Sequence, residues 1–324
     1  MQASLKEEVL ALLCENAGNP VSGSEMAARL GVTRNAVWKA IRQLTAEGCR
    51  IEAATNRGYT LADAGDLLCA PLVRKDLNTA RLGRTLIIEE TLGSSNELAK
   101  RLAAKGAADG TVVIARQQTG GKGRRGRSFF SPPGSGLYMS LLLRPSFSAA
   151  DAGLLTSLTA VAVAEAIESL SPVTVGIKWV NDLFVGGKKL CGILTEASMD
   201  MESGTLEYMV VGIGVNVGRI DFPPELSEIA TSIENENPQP VRRAALAAAI
   251  LNRLEARLSS ADTGAFLEES RRRSIVLGKT VTVIQGTASY PAKAIGIDEE
   301  GRLILQTADG VRHLGSGEIS VRLE

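Results

Sequence analysis

Histidine is almost absent from this chain of 324 residues, in which His313 is the only one. A catalytic triad or a metal cluster built on histidine would depend on that single side chain, and a solvent-facing residue near the C-terminus is the simpler interpretation. Cysteine is also scarce. The four cysteines form no Cys-x-x-Cys pair, so the sequence predicts neither a zinc site nor a disulfide framework and favours a reducing cytoplasm.

Long apolar runs and an excess of charge are absent too. No stretch of 18 or more apolar residues occurs, so no membrane-spanning helix and no membrane partner are predicted. Lys plus Arg and Asp plus Glu number 36 each, which means that a site for phosphate or nucleic acid has to come from local clustering of charge. At this length the chain is expected to form two or three domains.

The first 64 residues have the pattern of a winged helix-turn-helix domain. Ser22 and Thr33 are candidate caps of two helices separated by Gly31, and two short strands follow around a tip at 56–58. Six basic residues against two acidic ones lie between residues 29 and 57. A solvated helical face in a protein–protein module is the alternative, but charge, helix order and wing together favour DNA.

The residues predicted to contact DNA share the outer face of the second helix and the wing tip; they are Arg34, Asn35, Trp38, Lys39, Arg42 and Arg57. One such domain reads half a site, so the form that binds an operator is predicted to be a dimer.

From residue 85 onward, strands joined by tight turns flank one long alanine-rich helix at 151–170. With hairpin tips at 186–187 and 203–204, this pattern predicts an α+β domain with an antiparallel or mixed sheet, not βαβ repetition. From Lys279 the hydrophobic period switches to two, with a first turn at Gly286, which predicts a small all-β barrel. We place the domain boundaries at 1–64, 65–276 and 277–324.

A glycine-rich basic loop at 117–127 (QQTGGKGRRGR) is the most unusual segment. Glycines allow backbone N–H groups to face a phosphate, and arginines grip phosphate with two parallel hydrogen bonds. Its Gly-x-Gly-x-x-Gly pattern at 121–126 is followed by Phe-Phe-Ser-Pro-Pro and not by a helix, which excludes a dinucleotide-binding fingerprint. A solvated basic loop is the alternative.

Lys178 and Asp182 are predicted to lie on one face of a single apolar strand, with Lys189 opening the next strand. A lysine there could neutralise charge on a transferred phosphate, and Asp182 could hold Mg²⁺ or a ribose hydroxyl. Charged residues at strand ends are equally ordinary. The small residues at 212–217 would let a ligand approach a buried strand, although packing alone explains them equally well. The Ser-Ser-Asn at 94–96, at a helix N-terminus, could bind a polar head group, although a plain helix cap explains it too.

Together these segments resemble the bifunctional biotin–protein ligase and biotin operon repressor family. The resemblance covers nearly the whole chain and depends on the order and spacing of five motifs: Ser-Ser-Asn at 94–96, Gln118 with Gly-Lys-Gly-Arg-Arg-Gly at 121–126, Lys-Trp-x-Asn-Asp at 178–182, Lys-Leu-x-Gly-Ile-Leu at 189–194 and Gly-x-Gly-x-Asn at 212–216. It implies an α+β protein with a central domain of the biotin/lipoate ligase type and a C-terminal SH3-like barrel.

The resemblance implies that biotin and Mg-ATP form biotinyl-adenylate and that the biotinyl group then passes to a lysine of a biotin carboxyl carrier protein. The implied biotin-binding residues are Ser94, Ser95, Asn96, Gln118, Gly121, Lys122, Arg124 and Lys189. The implied ATP- or adenylate-binding residues are Gly123, Arg124, Arg127, Phe129, Lys178, Asp182 and Asn216. Lys189 and Arg124 are the implied catalytic residues, and Asp182 is the implied Mg²⁺ ligand.

The resemblance also implies that the adenylate-bound protein is a homodimer that represses biotin biosynthesis genes at an operator. Four positions depart from common family residues: Ser95 for threonine, Lys122 for arginine, Phe129 for tryptophan and Val180 for proline. None removes a catalytic group. A lipoate or octanoate ligase and a non-catalytic, metabolite-responsive regulator are the alternatives.

Overall fold

The computed structural model describes residues 4–54, 57–144, 152–199, 205–260, 263–285, 287–315 and 319–323. The chain divides into two compact units. One contains Met1–Asn78 with Val241–Ala249, and the other contains Thr79–Pro240 with Ile250–Glu324.

The first unit contains the helix-turn-helix and its wing. Its elements are α1 (Leu5–Glu15), α2 (Gly23–Leu30), α3 (Arg34–Ala46), β1 (Arg50–Ala54), β2 (Gly58–Asp63) and α4 (Ala70–Lys75). The hydroxyls of Ser22 and Thr33 cap α2 and α3, as the sequence predicts, by accepting backbone N–H hydrogen bonds at 3.0 and 3.2 Å. Gly31 ends α2 in the left-handed conformation.

Buried apolar side chains of α1 and α3 form the core of this unit, among them Leu13, Val37 and Leu44. The short helix α4, which the sequence did not predict, packs on α1 and buries Leu72 and Val73. Residues 241–249 join the unit by ion pairs that link Arg242 to Asp63 at 2.7 Å and Arg243 to Asp66 at 2.6 Å.

The second unit is built on a seven-stranded sheet. Its elements before the C-terminal strands are β3 (Leu86–Leu92), α5 (Ser95–Ala103), β4 (Val112–Gln118), β5 (Gly136–Leu143), α6 (Ala152–Leu170), β6 (Gly176–Lys178), β7 (Asp182–Val185), β8 (Lys188–Met199), β9 (Leu206–Asn216), α7 (Pro224–Ser227), α8 (Ile233–Glu236), α9 (Arg243–Ser259, from Ile250 on in this unit) and α10 (Thr263–Arg273).

The strand order of this sheet is β3-β4-β5-β9-β8-β7-β6. In this sheet, as far as the structure describes it, β3 and β4 run parallel and the other neighbours are antiparallel, so the predicted mixed sheet is confirmed. Every residue of β5 is buried, which agrees with its mostly apolar sequence, in which Ser140 is a polar exception, and with its place inside the sheet between β4 and β9. Helix α5 packs on β4, β5 and β9, while α6 packs on β6, β7 and β8.

The prediction that one strand carries both Lys178 and Asp182 is wrong. A turn at 179–181 separates β6 from β7, and the two residues lie directly opposite each other in an antiparallel pair. Directly opposed residues point to the same face, so the two side chains still share one side of the sheet.

The C-terminal strands form a separate five-stranded antiparallel sheet. They are β10 (Thr280–Gln285), β11 (Ala288–Ile297), β12 (Leu303–Thr307), β13 (Gly310–Leu314) and β14 (Ile319–Leu323), in the order β13-β12-β11-β10-β14. Alternate residues such as Val281, Val283, Leu303 and Leu305 are buried, which is the predicted period of two. The predicted turns at 203–204 and Gly286 lie outside the described residues.

None of the helices described in the chain combines the length and the apolar character needed to cross a bilayer.

Replacing Gly58 by alanine is expected to destabilise the protein more than the same change at Gly18. Both glycines have positive φ, but a Cβ at Gly58 would lie 2.2 Å from the Val21 carbonyl oxygen, whereas a Cβ at Gly18 meets nothing within 4 Å. At both positions, an alanine with positive φ should lower the free energy of unfolding by about 1–2 kcal/mol. At Gly58 the clash with the backbone should lower it by about 1–3 kcal/mol more. Calorimetric melting of both variants tests this, and equal losses would contradict it.

Candidate active site and nucleic-acid interface

A cleft opens in the second unit, between the N-terminus of α5, the glycine-rich loop and the strands β8 and β9. Its lining residues are Ser94, Ser95, Asn96, Gln118, Lys122, Gly123, Arg124, Phe129, Asn181, Asp182, Lys189, Gly192, Ile193, Leu194, Gly212, Ile213 and Gly214. All predicted biotin-binding residues except Gly121 are therefore brought together. Gly121 belongs to the loop but is not among the residues that line the cleft, and a Cβ there would come 2.5 Å from the Phe129 carbonyl oxygen.

One end of the cleft, here called the polar end, consists of Ser94, Ser95, Asn96 and Gln118. The first three are buried although they are polar. The Gln118 side-chain oxygen accepts hydrogen bonds from the Ser95 amide at 2.8 Å and from its hydroxyl at 3.1 Å. Buried polar groups held by such hydrogen bonds form a rigid recognition surface of uncharged side chains.

Glycines of β9 make room for this end. A Cβ at Gly212 would lie 2.3 Å from Asn96 Oδ1, and a Cβ at Gly214 would lie 2.8 Å from the Phe129 ring. The small residues predicted to let a ligand approach the strand therefore also seat two side chains of the cleft wall.

The opposite end, here called the charged end, contains Arg124, Asn181, Asp182 and Lys189. Lys189 Nζ lies 2.7 Å from Asp182 Oδ1. The Asn181 amide donates to the same Asp182 oxygen at 3.0 Å, and Arg124 donates to Asn181 Oδ1 at 2.9 Å. Asn181 thus links Arg124 to Asp182, which in turn pairs with Lys189, so it connects the two predicted catalytic cations. Asn181 belongs to the Lys-Trp-x-Asn-Asp motif, but the spacing of the motif did not predict this role.

Electrostatics at this end favour an anion. Burial lowers the pKa of the Arg124 guanidinium from its usual value, while the nearby Asp182 charge opposes that shift. A guanidinium nevertheless stays charged in proteins, so one carboxylate faces two cations. An entering phosphate would complete the charge balance.

The predicted nucleotide residues Arg127, Phe129, Lys178, Asp182 and Asn216 also lie together, along an adjoining cavity that shares the charged end. Its outer wall is apolar and holds Phe130 and Phe222, whose ring centroids are 6.2 Å apart. The predicted adenine partner Phe129 lies at the junction of both cavities. Phe130 and Phe222 were not predicted, because nothing local marks two distant aromatic residues as neighbours.

The loop residue Lys122 is tied to α5 and not to the charged end. Its Nζ lies 2.6 Å from Glu97 Oε1, and Lys100 Nζ lies 2.8 Å from the same oxygen. Hydrogen bonds from Lys100 and then Lys122 lower the pKa of Glu97 to about 2.

In the first unit, the predicted DNA-contacting residues of α3 are all exposed: Arg34, Asn35, Trp38, Lys39 and Arg42. The Arg42 guanidinium stacks 5.0 Å from the Trp38 ring centroid. Arg57 is exposed beside the tip of the wing. Together these side chains form a basic surface opposite the apolar face of α3.

Replacing Glu97 by glutamine is expected to lower the melting temperature by about 1–2 °C at pH 7, since exposed ion pairs contribute little. The lowered pKa means that the contribution is fully present above about pH 4.5 and is lost as pH falls toward 2. The difference from wild type should therefore shrink below pH 4. Glu90→Gln, which removes a more exposed partner of Arg116, is the control. A difference that persists unchanged to pH 3 would exclude the ion pairs as its source.

Comparison with known proteins identifies three family regions. Residues 6–60 match the model of an HTH domain, residues 90–216 match the biotin/lipoate A/B protein ligase family, and residues 276–322 match the biotin protein ligase C-terminal domain. Among solved structures, the biotin protein ligase from Aquifex aeolicus in complex with biotin and ATP is similar, with a TM-score of 0.65 and 29% identity over 74% of this chain and all of that one.

Similarity to bifunctional proteins extends over the whole length. The bifunctional ligase/repressor BirA of Bacillus subtilis is 36% identical over 99% of this chain and 100% of its own length. The protein of the same name from Escherichia coli is 28% identical over 97% of this chain and 96% of its own. The chain therefore belongs to the family of bifunctional biotin ligase/repressors.

Proposed function

We propose that the protein activates biotin with ATP to biotinyl-adenylate, transfers the biotinyl group to a lysine of a biotin carboxyl carrier protein and, with the adenylate bound, represses biotin biosynthesis genes. The observation that carries the enzymatic part is the division of one cleft into a buried, neutral polar end and a charged end. Biotin has the same division, with a neutral cyclic urea at one end and a carboxylate at the other.

The polar end favours biotin over the alternative substrates lipoate and octanoate. Lipoate ends in a dithiolane and octanoate in a methyl group, and neither would satisfy Ser95, Asn96 and Gln118. A buried polar site rejects a ligand that leaves its groups unpaired far more strongly than an apolar pocket rejects an extra group.

In the first step, a biotin carboxylate oxygen attacks the α-phosphorus of ATP, and pyrophosphate leaves. Lys189 and Arg124 stabilise the charge that develops on the α-phosphate oxygens. Asn181 and Asp182 hold both cations in place through their hydrogen bonds. The protein needs no covalent intermediate here, because alignment and charge neutralisation supply the acceleration.

In the second step, the neutral amine of the carrier lysine attacks the carbonyl carbon of the mixed anhydride, and AMP leaves. Arg124 and Lys189 stay against the phosphate and stabilise AMP as the leaving group. Arg127 and Lys178, along the adjoining cavity, fit the triphosphate of ATP.

Magnesium fits this site as a companion of ATP. No group of three His, Cys, Asp or Glu in the described part of the chain could hold a metal, but Mg²⁺ is often bound by one or two carboxylates together with substrate phosphates. Asp182 would supply a carboxylate to the ion, and Asn216, which lines the same cavity and whose buried Oδ1 has no partner among the described residues, would supply an oxygen. Bound there, Mg²⁺ would neutralise phosphate charge.

For the regulatory half, we propose that the basic face of α3 and Arg57 contact operator DNA and that the adenylate-bound protein does so as a homodimer. We further propose a cytoplasmic location, where ATP and DNA are present and where the free cysteines of the chain would stay reduced. The boundaries 1–64, 65–276 and 277–324 are proposed as the domains for DNA binding, ligation and the C-terminal barrel.

Lys189→Ala is expected to reduce ATP-dependent biotin transfer to a carrier domain by about 100- to 1,000-fold, as for a lost oxyanion donor. The neighbouring Lys188 points its amine to the Ser227 carbonyl at 2.8 Å, so Lys188→Ala is the matched control and should keep most of the activity. The measurement is transfer of labelled biotin, with and without ATP.

Other outcomes of that assay separate the alternatives. Transfer of lipoate but not biotin would make the protein a lipoate ligase. Absence of both transfer and ATP-dependent pyrophosphate release would leave a non-catalytic regulator.

Lys39→Ala is expected to weaken binding to DNA selected by the protein from random sequences and to reduce the salt dependence of the affinity by about one counterion. Lys6→Ala is the control, because Lys6 lies on α1 and pairs with Glu47. Fluorescence anisotropy over a salt series measures both. Equal effects of the two changes would argue against α3, and affinity unaffected by biotin plus ATP would argue against regulation by the adenylate.

A further inference from the structure

The amide of Asn96 has its orientation set by two groups that can only accept hydrogen bonds. Its nitrogen lies 2.7 Å from Glu196 Oε2 and 3.3 Å from the Leu194 carbonyl oxygen. An ionised carboxylate and a backbone carbonyl both require a donor, so the NH₂ group must face them. Both of its hydrogens are then in use inside the protein.

The opposite side of the same amide therefore presents only oxygen. Asn96 Oδ1 accepts from the Ser140 hydroxyl at 2.6 Å and lies over Gly212 at the cleft wall. One acceptor site of this oxygen remains for a ligand. Without Glu196 nothing of comparable strength among the described residues would prevent the amide from rotating and offering a donor instead.

The neighbouring groups complete a specific pattern. The Ser95 hydroxyl donates its single proton to Gln118 Oε1 at 3.1 Å. Its oxygen lies 2.7 Å from the Ser140 hydroxyl and keeps a lone pair for a ligand, so Ser95 also offers an acceptor. Gln118 uses its oxygen on the Ser95 amide and one hydrogen on Ser131 at 3.2 Å, which leaves one N–H. Two acceptors and one donor match the two N–H groups and the carbonyl of a cyclic urea.

The charge of Glu196 is held by a ladder of ion pairs. Lys100 Nζ lies 2.9 Å from Glu196 Oε1 and continues to Glu97 and Lys122 of the glycine-rich loop. Burial works against the Lys100 ammonium, but the two glutamates outweigh it and raise the pKa of Lys100. Lys100 therefore stays charged and keeps Glu196 a pure acceptor.

We propose that Glu196 is a specificity-determining positioning residue, which fixes the Asn96 amide so that the polar end accepts hydrogen bonds from the N–H groups of a cyclic urea. This inference rests on the proposed function. Glu196 does not touch the ligand itself and acts through Asn96.

The first test changes Glu196 and Asn96 singly and then exchanges the two side-chain types in a double variant. In Glu196→Gln, Lys100 attracts the new amide oxygen, the new NH₂ faces Asn96, and Asn96 rotates to present a donor to the ligand. We expect the KM for biotin to rise about 10- to 100-fold, the effect of one mispaired buried group, while kcat and the KM for ATP stay near wild type. Asn96→Asp alone should be at least as damaging, because two carboxylates would then face each other.

The double variant Asn96→Asp with Glu196→Gln should recover part of the biotin affinity that each single variant loses, since the new amide at position 196 can donate to the new carboxylate at position 96, whose oxygen again faces the ligand. Recovery is incomplete because the Leu194 carbonyl then faces an oxygen and not an N–H group. Glu207→Gln, which changes an exposed glutamate paired with Ser198, is the matched control and should change nothing. Loss that is additive in the double variant, or an unchanged KM in folded Glu196→Gln, would overturn the proposal.

A second test uses the wild-type protein and does not depend on whether a variant folds. Isothermal titration compares biotin with its two cyclic carbamate analogues, in each of which oxygen replaces one ureido N–H. At least one analogue should bind about 10- to 100-fold more weakly, because an acceptor would then face an acceptor. Equal affinity of both analogues and biotin would overturn the proposal, whereas a wild-type protein that binds no biotin would overturn the proposed function instead.

Discussion

A single carboxylate, that of Asp182, holds the charged end of the cleft together. It pairs with Lys189 directly and reaches Arg124 through the Asn181 amide. The two cations repel each other in this partly buried site, and the one negative charge of Asp182 reduces that repulsion without cancelling the net positive charge. The site is thereby kept folded while it still attracts an anion. A second carboxylate at the same place would have neutralised the cluster and removed the reason for a phosphate to bind.

The glycine-rich loop connects this end to the polar end. Lys122 and Arg124 are separated only by Gly123, yet Lys122 pairs with Glu97 on α5 and Arg124 with Asn181 beyond β6. The loop turns sharply at Arg124–Gly126, where Arg125 and Gly126 have positive φ, so Arg124 lies at the start of this turn and Lys122 lies before it. The conformational freedom of glycine at 126 makes that turn accessible. The side chain at position 122 therefore contacts the α5 side of the cleft. The presence of lysine there, where arginine is common in the family, does not affect the contact of Arg124 with Asn181.

Local sequence patterns were sufficient to predict most helices and strands, but they were insufficient to predict most side-chain contacts in the cleft. The caps at Ser22 and Thr33, the mixed sheet and the alternation in the C-terminal strands follow from spacing and composition, because they depend on neighbours within a few residues. The turn at 179–181 was missed because its residues read as an apolar continuation of the strand. Asn181 and Glu196 escaped prediction for another reason: their partners Arg124 and Asn96 lie 57 and 100 residues away, on the glycine-rich loop and on α5, and only the tertiary fold brings them together.

The pairing register of β8 and β9 determines which residues form the floor of the cleft. Gly192 on β8 lies directly opposite Gly214 on β9, and Gly212 follows on the same face two residues away. Each glycine in a strand costs about 0.5–1 kcal/mol relative to alanine, so three close together are a local loss of stability. Gly212 and Gly214 lie on β9, next to the fully buried β5, and Gly192 lies on β8, so all three are on interior strands of the seven-stranded sheet. Because this floor lies within the ladder itself and not in a loop, its position is set by the register of β8 and β9, and the side chains of Asn96 and Phe129 fill the space that the missing Cβ atoms leave.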